Sequence, residues 1–228
     1  MRIWLLGLAL VPGWLGADAL RFSDNFQNGG AQWRAEGRDG TPSFAAGAMI
    51  LANQTGLTVW FRERLTAPVT ISYTAKVLST GRVSDLNCFW MATDPAQADG
   101  QLFVPGVVRS GEFAAYDTLR TYYVGYGGNN NTTTRFRRYD GTGARPLLPQ
   151  HDLSAPKFLL IPDHVYRITL VAGADGRVQF IRDGEVVFDW KDPEPLRSGW
   201  FGFRTVDSRI ELRDFQVHAG VPPGAAGR

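Results

Sequence analysis

Six arginines crowd one part of this chain. Arg109, Arg120, Arg135, Arg137, Arg138 and Arg145 lie between positions 84 and 152, among Trp90, Tyr116, Tyr122, Tyr123, Tyr126 and Tyr139, with the run Gly127-Gly128-Asn129-Asn130-Asn131 between two of the groups. A planar guanidinium meets a carboxylate through two parallel hydrogen bonds, and an aromatic face stacks against a ring. Together these groups suit an acidic sugar. They also hold the parts for β-elimination from a uronate, which needs a cation on the carboxylate, a base for the adjacent proton and an acid for the leaving oxygen. The expected roles place Arg135 and Arg137 on the carboxylate, with Asn87 or Asn129 beside them. His151 or Tyr122 is then the base, and Tyr126 or Tyr139 returns the proton. A tyrosine acts as a base only when deprotonated, a state that neighbouring arginine charges favour. Trp90, Arg109, Arg120 and Asn130 complete the expected substrate-binding set, although Trp90 suits a core equally well.

Other chemistries compete. A retaining glycosidase needs two carboxylates about 5 Å apart, and no Glu-x-Asp-x-x-Glu run supplies them, because Glu36, Glu63, Glu112, Glu185, Glu194 and Glu211 are scattered. An inverting pair such as Asp85 with Asp117 would leave no local signature. The same arginine, tyrosine and asparagine surface would also hold an acidic glycan without breaking it. The plainest alternative is that the arginines are solvated or paired with Asp117, Asp140 and Asp152. His151, His164 and His218 have no ligand spacing, so no zinc site is expected. No other cofactor is called for, and a structural calcium ion has no support in the residues. Cys88, between apolar neighbours, reads as a buried inert thiol.

The elements that must position these groups are short strands. Gly and Pro recur every dozen or so residues, and the segments between are rich in Val, Ile, Thr, Tyr and Phe. Residues 58–62, 69–77 and 166–171 alternate with period two, which buries one face and exposes the other. Residues 165–190 read as a three-stranded antiparallel meander, closed at Asp175-Gly176 and Asp183-Gly184. Residues 199–204 and 210–217 add two strands, and only Gly111 to Thr118 suggests a helical turn. On strand parity Arg120, Tyr122, Val124 and Tyr126 share one face, and Thr133, Arg135, Arg137 and Tyr139 share another. A hairpin closed by the Gly-Asn run would set the two rows side by side on one sheet face. The alternative partition, with Phe136 and Tyr123 on the buried side, yields the same exposed row.

With 228 residues, 44% hydrophobic and 20% charged, the chain has the composition of a folded domain. Its charge of +2 is too near balance for non-specific nucleic-acid binding. Lys occurs only at 76, 157 and 191, so 21 of the 24 basic residues are Arg. Met1 and Arg2 precede an apolar run from Ile3 to Gly16 and the small residues Ala17-Asp18-Ala19, which reads as a secretion signal over residues 1–19. Export to the cell exterior or periplasm, with no membrane attachment after cleavage, is the expectation. One all-β domain over 20–219 and a loose tail over 220–228 follow, with no internal repeat, and a monomer is expected.

The stretches Phe22 to Trp33, Tyr166 to Gly184 and Gly199 to Arg204 are similar to the concanavalin A-like jelly-roll frame of lectins, glucanases and some polysaccharide lyases. Ser84 to Asp94, Tyr122 to Arg138 and His151-Asp152-Leu153 resemble the bacterial domain of unknown function 6250 family, itself similar to the YesU type found beside rhamnogalacturonan-degrading enzymes. The resemblance implies an all-β jelly-roll sandwich of two antiparallel sheets, export and use of plant or algal polysaccharide. It transfers no catalytic residues. It also leaves open a sugar hydrolase of the 3-keto-disaccharide type, for which a metal would be expected.

Overall fold

The computed structural model describes residues 19–220. The expected signal segment lies outside these residues apart from Ala19, as does the tail apart from Gly220, whose amide donates to the Pro68 carbonyl. In chain order the strands are β1 (Ala19–Asp24), β2 (Trp33–Glu36), β3 (Ser43–Ala45), β4 (Ala48–Asn53), β5 (Leu57–Phe61), β6 (Leu65–Thr66), β7 (Val69–Val77) and β8 (Leu86–Thr93). There follow β9 (Arg120–Gly127), β10 (Thr133–Asp140), β11 (Asp152–Leu153), β12 (Val165–Ala172), β13 (Arg177–Arg182), β14 (Glu185–Lys191), β15 (Ser198–Thr205) and β16 (Ser208–Ala219).

They form two antiparallel sheets of eight strands, a jelly-roll sandwich. The first runs β14-β13-β12-β7-β16-β4-β3 with β1 beside β16, and contains the meander read from residues 165–190. The second runs β11-β10-β9-β8-β15-β5-β2 with β6 beside β15.

The first sheet shows the alternation its sequence announces. Along β7, Val69, Ile71, Tyr73, Ala75 and Val77 are buried, while Ser72, Thr74 and Lys76 are half-buried on the other side. Along β16 the alternation breaks at Asp214, which sits at φ 52° where the pairing with β7 shifts register, and resumes with Phe215 and Val217 pointing into the core. Such a bulge re-aims a strand without ending it.

The second sheet behaves differently. β8, β9 and β15 are buried along almost their whole length on both faces. Their inward side chains, Cys88, Trp90, Tyr122, Val124, Tyr126, Phe201 and Phe203, meet the first sheet in the main core. The outward ones, Phe89, Tyr123 and Trp200, join Trp60, Tyr116 and Tyr139 in a second apolar cluster. That cluster is roofed by the excursion between β8 and β9, which contributes Leu102, Tyr116 and Leu119 and includes a short 3₁₀ turn at Phe113–Tyr116. The turn falls within the expected 111–118 stretch.

Candidate functional site

Residues paired across an antiparallel sheet share a face, so the register of the second sheet decides which side chains meet. One outward row runs Thr58, Arg204, Asn87, Gly125, Arg135 and Asp152, from β5 through β15, β8, β9 and β10 to β11. The next runs Trp60, Gly202, Phe89, Tyr123 and Arg137. The first row is polar apart from one glycine. The second is aromatic apart from Gly202 until it reaches an arginine.

A cavity of about 160 Å³ opens where these rows leave the roofed area. Its floor depends on Gly125. A Cβ there would lie 2.9 Å from the hydroxyl of Tyr123, whose ring leans across the glycine from two residues away on the same face. Asn87 and Arg204 stand on one side, Arg135 and Arg137 on the other. Phe113 from the excursion, Val206 after β15, Asp85 just before β8, Gly128 and Asn129 from the β9–β10 turn, and Thr133 at the start of β10 form the remaining wall. That turn suits its sequence, because Gly127, Asn129, Asn130 and Asn131 all have φ between 52° and 65°, a region that glycine and asparagine tolerate best.

The electrostatics of the cavity are uneven. Arg135 is held in a bidentate pair by Asp152, at 2.8 and 3.1 Å. Asp85 receives hydrogen bonds from Arg82, Ser84 and Asn87. Arg137 gives hydrogen bonds only to the carbonyls of Arg145 and Pro146. Arg204 is 3% exposed and gives one to the Gly111 carbonyl at 3.1 Å, with its guanidinium 4.8 Å from the Phe113 ring centre. Its Nε, and the Oδ1 of Asn87 beside it, are buried without a hydrogen-bond partner in the protein. Among the described residues neither Arg137 nor Arg204 has a carboxylate within ion-pair distance.

The sequence-predicted site residues divide. Asn87, Asn129, Arg135 and Arg137 line the cavity. Tyr122 and Tyr126 do not, because β10 pairs with Arg137 opposite Tyr123 and Arg138 opposite Tyr122. The expected polar and aromatic rows therefore lie on opposite faces of the sheet; in a structure of period two a one-residue difference in pairing reverses every side chain. Phe136 faces the main core as the alternative partition supposed, whereas Tyr123 faces away from it. Tyr122 donates to Asp192 at 2.6 Å and accepts from the Leu196 amide, and Tyr126 accepts from Arg182 at 3.2 Å. Trp90 packs between Tyr122 and Phe136. Tyr139 is on the outward face but fully buried, stacked on Tyr123 at 5.9 Å.

The expected lowering of a tyrosine pKa by arginine is reversed. Burial raises the phenols of Tyr122, Tyr123, Tyr126 and Tyr139 well above their usual range, and outweighs Arg138, Arg204, Arg182 and Arg137 respectively. His151 is also elsewhere. It ends a 3₁₀ turn at the open edge of the sandwich, edge-on to Phe136, Phe188 and Trp190, in a separate cavity of about 180 Å³. Burial lowers its pKa.

The remaining expected binders serve the fold. Arg109, 6% exposed, bridges Glu36 at 3.2 Å and Asp94 at 2.6 Å and ties the excursion to β2. Arg120 is exposed and donates to the Asp140 carbonyl, and Asn130 accepts from Arg82 at 2.7 Å. Asp117 is clasped by Arg145 at 2.7 Å twice and does not join Asp85 in the cavity. Among the described residues no three His, Cys, Asp or Glu side chains gather as a metal-binding group. Sequence reasoning passed over Arg204. Its signal was an arginine sharing a strand face with Gly202, on a segment otherwise made of Trp and Phe.

The sequence matches the family described as Domain of unknown function (DUF6250) over residues 51–215. No curated protein matches the chain by sequence. Among solved structures, a Bacillus subtilis protein of unknown function with a galectin-like fold superposes with TM-score 0.71 at 20% identity, covering 90% of this chain and 98% of the other. The carbohydrate-binding module CBM66 from Bacillus subtilis gives 0.57 at 12% identity, over 82% and 96%. A β-1,3-1,4-glucanase (lichenase) from a mouse hindgut metagenome gives 0.57 at 12%, over 88% and 99%. These likenesses establish the fold.

Proposed function

The chain belongs to the DUF6250 family, and we propose that it is a glycan-recognition protein whose outward cavity seats the carboxylate of an acidic sugar. One observation carries this reading: Arg204 is a buried cation with no carboxylate of its own protein within ion-pair distance, and the half-buried Arg137 across the cavity likewise has none. An unpaired buried charge is costly unless something neutralises it. The rings of Phe113 and Tyr116 supply part of that by cation–π contact, and a ligand carboxylate supplies the rest. Asn87 and Asn129 offer polar contacts to the sugar hydroxyls. That the fold neighbours include a carbohydrate-binding module and a glucanase agrees with a sugar ligand. Export, expected from the N-terminal segment, places the protein where such polysaccharides occur.

Binding is favoured over elimination because the groups expected to move protons do not gather at the cavity. Tyr122 and Tyr126 are bonded within the core and His151 lies in another pocket. Tyr123, which does reach the cavity, is held in its protonated form by burial. Calorimetry against polygalacturonate, rhamnogalacturonan, ulvan and their carboxyl-reduced forms tests the reading. Retention of the acidic polymers, weakened by salt and reduced at least about tenfold, roughly 1.4 kcal/mol, in Arg137→Gln, is the expected result. Equal affinity for the carboxyl-reduced polymers would overturn it. So would absorbance from an unsaturated uronate during incubation, since elimination alone creates one.

A further inference from the structure

The shape of the cavity says how an acidic glycan would enter. The outward face of a seven-strand row is a natural trough, long enough for several sugar residues because each strand adds about 4.8 Å. Here that trough is dammed. From β2 across to β9 the excursion lies down on the sheet: Gly111 and Gly56 touch through their backbones, Arg204 bonds the Gly111 carbonyl, and Phe113 packs at 5.2 Å on the Tyr123 ring. At the opposite end the row closes on the Arg135–Asp152 pair. The β9–β10 turn and Val206 stand along one side. What remains is a pit of about 160 Å³, about half the smallest volume usual for a site that takes a drug-sized ligand.

We infer that the pit admits a single uronate residue at a chain end, carboxylate first, and excludes the interior of a polymer. This rests on the acidic-sugar reading above and adds the mode of recognition to it. The Arg204 guanidinium stands on the dammed side, so the carboxylate enters towards it. Arg137 meets the same residue from the far side, and the rest of the glycan leaves past Asn129. An interior residue would have to continue in two directions, and one of them runs into Phe113 and Gly111.

Titration of the full chain with oligogalacturonides from monomer to hexamer, together with the polymer, tests the inference. Affinity per molecule should stay within about threefold from the first member onward, a spread below 1 kcal/mol. The number of sites filled by a fixed mass of polymer should rise as the polymer is cut into shorter pieces. Phe113→Ala lowers the dam by one ring, and it should raise affinity for the hexamer relative to the monomer. Arg137→Gln, on the half-exposed rim and without a role in the fold's ion pairs, should weaken every member alike. Affinity that climbs about tenfold or more with length in the wild-type protein, and is lost in Arg137→Gln, would overturn chain-end recognition while leaving the acidic-sugar reading standing. Failure of every uronate to bind would remove both.

Discussion

Gly125 is where a single atom shapes the site. Its missing side chain lets the Tyr123 ring lie across the strand and leaves the polar row open between Asn87 and Arg135. In Gly125→Ala the added methyl meets Tyr123 at 2.9 to 3.1 Å, so the ring must tilt into the cavity. The expected outcome is a loss of uronate affinity with a stability cost of about 1–3 kcal/mol, as for other overpacked positions. Paired ligand titration and urea denaturation check it; unchanged affinity would show that the Tyr123 ring is not part of the floor. At this scale the sequence was partly legible. Arg135, Arg137, Asn87 and Asn129 are found at the cavity, because a planar cation or a polar turn residue in an aromatic segment is visible in composition alone. Tyr122 and Tyr126 were misplaced because their role depends on a pairing register that local sequence does not encode. Arg204 was passed over because its partner residues arrive from β8 and β10, more than sixty positions away in the chain.

At the level of elements, the excursion from Asp94 to Leu119 depends on Arg109. This guanidinium sits between two buried carboxylates, while the second oxygen of Glu36 accepts from the Trp60 indole at 2.8 Å. Replacing Arg109 by Met leaves Glu36 and Asp94 buried without their cation, which costs about 3–5 kcal/mol. Chemical denaturation should register that loss. Hydrogen exchange should show the excursion amides opening before those of β7 and β12, and simultaneous opening would mean that the triad does not anchor it separately. Strand placement was easier to read than this anchor. Alternation in β7 and β12, and Asp-Gly turns around β13, are local signals, and the structure contains each of those elements. The long-range pairing of Glu36, Asp94 and Arg109 has no local signal. Arg109 therefore looked like a ligand-binding arginine.

Over the whole molecule, the jelly-roll class followed from punctuation, β-branched composition and family resemblance. The two-sided burial of the second sheet did not. A strand covered on both faces lacks the period-two contrast that betrays a half-exposed one. Cys88 provides a measure of how that core holds together. It lies fully buried on β8, facing the first sheet, and desolvation pushes its thiol up to about 12. Alkylation in the native state should be negligible, and its onset across a urea titration should coincide with the change in tryptophan emission. Rapid modification of the native protein would reveal an opening of the sandwich well short of global unfolding.

One stretch of chain both roofs the aromatic cluster around Trp60 and Phe89 and supplies Phe113 to the cavity wall. Under the proposed function, solubility and ligand selectivity are consequently coupled in this protein. Any trimming that widens the pocket by shortening that stretch also bares a sticky patch of indole and phenyl rings, so variants that accept longer ligands should arise by exchanging residues in place rather than by deletion.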